Sequence, residues 1–391
     1  MNFLIKNEKN ILYSFLFIII VLGFYLCFIG GYGSDEDTLP MIYAFEAKLG
    51  DGRFVSSRFT GNPVAELGIG FLSHFLGSWA ANSVTYILLL LGIIFFYLSF
   101  EKKKTTKNIY FFLFLCLTNP IIFFDNLEPV DYSWALFFYS LGIFLFNKKI
   151  FELSVLFFAI SIGVRINYVL FVLITILFYQ FEDKVSLYRR LGLFFSAFVI
   201  GGLFYLPVWF DNSFNLSWLT AARPTDQGIY GLFARFTYKL YVSVGYISTF
   251  LLFYIFLKER SNLLKIHNFK VLSLLGMSNL LIFLWIPAEF SYVQLFLVIL
   301  FFIFYVLDNS KFFYILCLCN LISWIIFINP LKITHAEKDI CLPKNAISAD
   351  IKFSIESGFY YKFLKSRKKI QCWVYGQSER DIKILQGKAL K

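Results

Sequence analysis

The chain has 391 residues, of which 59% are hydrophobic and 16% charged, with 52 Phe, a mean hydropathy of +0.69 and a formal net charge of +11. An ordinary soluble domain carries about a quarter charged residues, and a soluble globule of this composition would be coated in Phe and Leu, a surface that lipid accepts without penalty. That excludes a water-soluble fold, and it makes the positive charge a matter of loop residues that hold orientation rather than of nucleic-acid binding.

Apolar runs bounded by charge or by Pro, Gly and Asn clusters occur near 11–30, 80–100, 109–124, 132–146, 150–163, 166–181, 191–210, 241–257, 271–287, 291–307 and 312–328. At roughly 20 residues per crossing, these predict an all-α polytopic membrane protein with about 11 transmembrane helices. The first run is too long, and too poor in small residues at its end, for a cleaved signal peptide and reads as an anchor. The runs 132–146 and 150–163 are short enough to pair as a hairpin that crosses only in part.

With the N-terminus taken as cytoplasmic, the inside segments carry Lys102, Lys103, Lys104, Lys107, Lys184, Arg189, Arg190, Lys258 and Arg260, whereas the short outer connections carry only Arg165. This asymmetry predicts a cytoplasmic N-terminus and, with eleven spans, a C-terminus outside. The organisation expected is a transmembrane domain over 1–328, with a first outer loop at 31–79 and a second at 211–239, followed by a small outer tail over 329–391. Four of the six Cys lie in apolar runs as small hydrophobes; Cys341 and Cys372, in the tail, suit one disulfide outside the cytoplasm. Three His in all make a protein-built metal site unexpected.

The first outer loop opens with Asp35, Glu36 and Asp37 and continues into 39–49 and 63–76, whose apolar residues recur at helical spacing broken by Glu46, Lys48, Glu66 and His74. These read as amphipathic helices in the headgroup layer. The triplet suits two roles: a solvated helix start, or a carboxylate turned into a cavity to take a proton from a hydroxyl, which requires a pKa raised by burial or by a like-charged neighbour. Asp125, Glu128 and Asp131 place a second acidic group in the next outer connection. Outer basic residues are few: Arg53 and Arg58 in the first loop, Arg165 at a turn, and Arg223, Arg235 and Lys239 in the second loop. Arg165, between Val164 and Ile166, either snorkels or meets an anion. With Arg58 or Arg223 it is a candidate to hold the phosphate of a lipid-linked substrate, because guanidinium binds phosphate bidentately. Glu289 and Tyr292, in the connection Pro287-Ala288-Glu289-Phe290-Ser291-Tyr292, suit two roles: a helix end that faces water, or closure of the outer cavity from the opposite side.

The order of a first span, acidic residues at once, the run Ser57-Arg58-Phe59-Thr60-Gly61-Asn62-Pro63 and then many spans resembles the GT-C glycosyltransferase superfamily. That superfamily includes protein O-mannosyltransferases, the aminoarabinose transferase of lipid A and phage-type glucosyltransferases of O-antigen. The runs AISIGVRINYVL and PAEFSY add to the likeness. The resemblance implies a GT-C-like fold and transfer of a sugar from a polyprenyl-phosphate donor to a hydroxyl of a surface glycan or lipid-linked acceptor, on the outer face of a bacterial inner membrane. It carries the role of base onto Asp35, Glu36 or Asp37, and implies substrate or phosphate contacts by Arg58, Arg165, Arg223, Arg235, Glu66, Asp131, Glu289 and Tyr292. It implies no obligatory cofactor, though the Asp-rich loops leave room for a divalent metal. Two other readings share the composition. An O-antigen polymerase of the Wzy type would rely on Arg residues of later outer loops, and a polysaccharide flippase would carry ionisable residues deep within its spans.

Overall fold

The computed structural model describes residues 2–33, 38–52, 57, 61–101, 108–181, 185–211, 228–286, 290–307, 311–335 and 346–366. The chain runs through α1 (Asn2–Ile29), α2 (Thr38–Asp51), α3 (Pro63–Leu76), α4 (Ser78–Phe100), α5 (Ile109–Thr118), α6 (Pro120–Phe124), α7 (Asp131–Asn147), α8 (Phe151–Val164) and α9 (Tyr168–Phe178). It continues through α10 (Leu187–Leu203), α11 (Leu206–Asp211), α12 (Gly228–Val244), α13 (Tyr246–Lys258), α14 (Arg260–Leu263), α15 (Phe269–Trp285), a 3₁₀ turn (Phe290–Val293), α16 (Gln294–Leu307) and α17 (Lys311–Ile325). Strands β1 (Ile326–His335) and β2 (Ala346–Ser357) and the short α18 (Phe359–Ser366) follow. This is a helical membrane protein in outline: apolar helices bond their own backbone groups, which hydrocarbon demands.

Among the described residues, three segments are long and apolar enough to cross a membrane: Asn10–Ile29, Ser78–Phe100 and Phe290–Leu307. The pair Ile229–Val244 and Tyr246–Lys258 makes a fourth if its 85° bend is counted within one span. Each of the eleven predicted runs contains helix, yet eleven full crossings are not established. Six apolar helices among the described residues have only 10–17 residues, and at 1.5 Å per residue a 14-residue helix covers about 21 Å of a core about 30 Å thick.

Breaks inside the predicted runs have local causes. The run 109–124 divides at Asn119 because Pro120 cannot continue the α5 ladder and disfavours helix before it. Asn119 Oδ1 accepts from the backbone N–H groups of Ile121 and Ile122, both at 3.1 Å, and starts α6. Trp324 Nε1 donates to the freed Thr118 carbonyl at 2.8 Å and its ring stacks on Phe123 at 4.5 Å, so α17 seals the break. The second half of the predicted 211–239 loop is helical: α12 begins at Gly228 and is separated from α13 by Gly245, whose φ of +91° makes the elbow.

Close helix contacts rest on glycines. A Cβ on Gly142 of α7 would lie 2.6 Å from the Phe158 ring of α8, and one on Gly23 of α1 would lie 2.4 Å from the Tyr86 ring of α4. Small residues let helices approach where lipid offers no hydrophobic drive. The two helices expected in the first loop are present, and Gly70 brings α3 against Phe45 of α2.

The C-terminal region was expected only as a polar tail. It holds an antiparallel hairpin in which Ile326 pairs with Ser357 and His335 with Ala346, with a register shift between Asn329 and Leu331. Pro330 lies at that shift; it has no N–H for the ladder. Cys341 and Cys372 lie outside the described residues.

Candidate functional site

The end of the bundle where α1 and α8 stop and α4 and α7 start gathers several of the expected site residues. Asp131 opens α7 and is fully buried; Arg165 closes α8 and is 6% exposed. Arg165 Nη1 donates to Asp131 Oδ1 at 2.8 Å and to Oδ2 at 2.9 Å. Its guanidinium lies 3.9 Å from the Tyr132 ring and 4.9 Å from the Tyr292 ring, and those rings pack edge to face at 5.6 Å. Arg165 therefore meets an anion supplied by the protein itself, and its charge is spread over two π faces.

The preceding connection contributes two more acids. Asp125 Oδ2 accepts from Ser291 Oγ at 2.7 Å, pinning the 3₁₀ turn to the end of α6. The Glu128 carboxyl rests on Gly33: a Cβ there would lie 2.2 Å from the Glu128 carboxyl carbon, and Gly33 holds φ +78°. Only glycine suits both requirements. Nearby, Asn82 Nδ2 donates to the carbonyls of Cys27 at 3.1 Å and Gly31 at 2.6 Å, fixing how the chain leaves α1.

Glu66 comes from α3. It is 1% exposed, and its Oε1 accepts from the backbone N–H of Ser57 at 2.8 Å, from Ser57 Oγ and from the backbone N–H of Asn62 at 3.1 Å. These bonds tie the 57–62 stretch to the helix start. Oε2 is buried with no hydrogen-bond partner among the described residues. Burial pushes the Glu66 carboxyl above the usual range and the Asp131 charge adds to that, against the pull of the Ser57 and Asn62 donors.

The structure thus brings together four of the expected residues, Glu66, Asp131, Arg165 and Tyr292, from α3, α7, α8 and the 3₁₀ turn. Arg235 lies on α12, with Lys239 one turn on and 5.1 Å from the Phe290 ring centre. Asp35, Glu36, Asp37, Arg58, Arg223 and Glu289 lie outside the described residues. Tyr132 and Ser291 were not among the expected site residues; each adjoins one that was, Asp131 and Tyr292, and that adjacency was the available signal. Among the described residues no three His, Cys, Asp or Glu side chains form a metal-holding group.

The arrangement sets an aspartate–arginine pair and a second carboxyl, Glu66, predisposed to hold a proton, at one rim of the bundle. The chain matches no protein-family model, no curated protein and no solved structure.

Proposed function

We propose that this rim is the outward-facing active site of a GT-C-type glycosyltransferase in a bacterial inner membrane, with the N-terminus cytoplasmic. A carboxylate of Asp35, Glu36 or Asp37 takes the proton of an acceptor hydroxyl, and the hydroxyl oxygen bonds to the anomeric carbon of the donor sugar. The bond from that carbon to the phosphate breaks with inversion, and the polyprenyl phosphate leaves with the electron pair. Arg58, Arg223 and Arg235 stabilise the departing phosphate, with Arg165 contributing positive potential from behind Asp131.

One observation carries the reading: the Glu128 carboxyl touches Gly33, two residues before Asp35. The described chain that leads toward the acidic triplet thus meets the α6–α7 connection at Gly33, which supports the reading.

Surface-glycan analysis of a deletion strain tests the reading. It expects one decorating sugar to be missing, restored by the wild-type chain and not by Asp35→Asn combined with Glu36→Gln and Asp37→Asn. Chains cut to a single repeat unit, with activity indifferent to those changes and lost at Arg223 and Arg235, would assign a polymerase instead.

A further inference from the structure

The tail of the chain is fastened to the same rim. β1 continues from α17 at Ile326, and β2 returns to it at Ser357, which pairs with Ile326. Gly358 then sets the chain on the end of α17: its N–H donates to the Ile325 carbonyl at 2.8 Å, and a Cβ there would lie 2.3 Å from the Trp324 carbonyl oxygen, so only glycine passes. α18 follows at once. Phe359, Tyr360 and Phe363 fall within about 100° of one another around its axis, whereas Tyr361, 55% exposed, lies outside that arc.

Phe363 is buried, and its ring lies 5.7 Å from that of Phe124, the last residue of α6. Phe124 also meets Tyr360 at 6.3 Å and Trp324 at 4.9 Å, so one aromatic cluster joins α6, α17 and α18. The same Phe363 ring stands 3.5 Å from the place a Cβ on Gly30 would take. Gly30 leads through Gly31 to Gly33, which lies under the Glu128 carboxyl, and Phe124 leads to Asp125, which holds Ser291. Phe363 therefore stands between the two segments whose meeting forms the rim, just before each reaches its first contact there. Protein interiors are close-packed, so loss of the ring lets such neighbours shift, and a displacement of about 1 Å at reacting groups costs about 100-fold in rate.

We propose that α18 is a brace of the functional rim and Phe363 its positioning residue: by filling the space between Gly30 and Phe124, the ring sets the 30–33 segment against the 125–130 connection. This rests on the sugar-transfer reading for the reaction affected, and on the packing for the brace itself.

The test is hydrogen–deuterium exchange of the full chain in lipid nanodiscs, with sugar transfer measured on the same preparation. Phe363→Ala is expected to speed exchange at least tenfold at the amides of 30–33 and 125–130, while 139–146 of α7 and 297–304 of α16 stay within about twofold of wild type. In transfer, its kcat is expected to fall at least tenfold with KM within about threefold, and Phe363→Leu, which keeps an apolar side chain there, is expected to restore most of both. Unchanged exchange in either rim segment, or faster exchange throughout the bundle, would overturn the proposal. If Phe363→Ala fails to fold, wild-type exchange against rising urea decides: the brace requires 360–364, 30–33 and 125–130 to open together, and separate openings overturn it. Activity separates the two readings. Wild-type transfer that Phe363→Ala leaves unchanged rejects the brace alone, whereas the expected exchange pattern without any transfer rejects the glycosyltransferase reading and supports the brace.

Discussion

Replacing Asp131 by Asn takes the opposing charge away from the two bonds that Arg165 makes to it. The guanidinium is 6% exposed and both of its bonds to Asp131 run from Nη1, at 2.8 and 2.9 Å. Unit charges about 4 Å apart interact by about 4 kcal/mol at an effective dielectric constant of about 20, and removing one partner from a buried pair costs about 3–5 kcal/mol. Contacts with Tyr132 and Tyr292 retain up to about 2 kcal/mol for the guanidinium, so Asp131→Asn is expected to destabilise by about 3 kcal/mol. Arg165→Met in the same chain removes the buried cation as well, and the double variant is expected to recover most of that loss, because apolar replacement of a buried pair is often neutral. Unfolding of the wild type, both single variants and the double in one detergent gives the coupling directly. A single variant within about 0.5 kcal/mol of wild type, or a double variant as unstable as the sum of the singles, would refute the reasoning.

Glu66 is expected to show a pH signature. Its folded carboxyl holds a proton more tightly than an unfolded one, so its contribution to stability falls as pH rises from about 4.3 toward the raised folded value; Glu66→Gln should therefore compare better with wild type at pH 7 than at pH 4 in thermal unfolding, and the reverse order would contradict the burial argument. Gly33→Ala is expected to abolish glycan transfer, through a strained φ costing about 1–2 kcal/mol and displacement of Glu128; Glu128→Ser should restore part of it, and failure of the pair to interact in activity assays would separate Gly33 from the acidic connection. Gly142→Val is expected to destabilise the α7–α8 pair by about 1–3 kcal/mol through its clash with Phe158, read as a lowered midpoint of thermal unfolding, and an unchanged midpoint would reject the close packing.

The first-loop helices were legible in the sequence because Pro63 sets a helix start and 63–76 repeats its apolar residues at helical spacing. The break at Asn119 was missed, since the apolar run 109–124 hides a single Pro among residues that all tolerate helix. α12 was missed for a different reason: Arg235 and Lys239 read as loop polarity, whereas one turn apart they share a face of an amphipathic helix. Arg165 was expected to face a substrate anion, with snorkelling as its alternative. Its partner, Asp131, lies 34 residues away in sequence, and only the antiparallel packing of α7 and α8 joins them. The terminal hairpin escaped notice because the apolar end of α17 runs into β1 without a turn residue between them.

The most direct measurement supplies the purified chain, reconstituted in vesicles, with a labelled sugar on polyprenyl monophosphate and a hydroxyl-bearing glycan acceptor. The account predicts that the label moves to the acceptor with inverted anomeric configuration, one sugar at a time. It further predicts a fall of about 100-fold or more when the essential acid among Asp35, Glu36 and Asp37 is replaced by its amide. Label that crosses the bilayer without forming a glycosidic bond, or transfer that withstands replacement of all three acids, would contradict it.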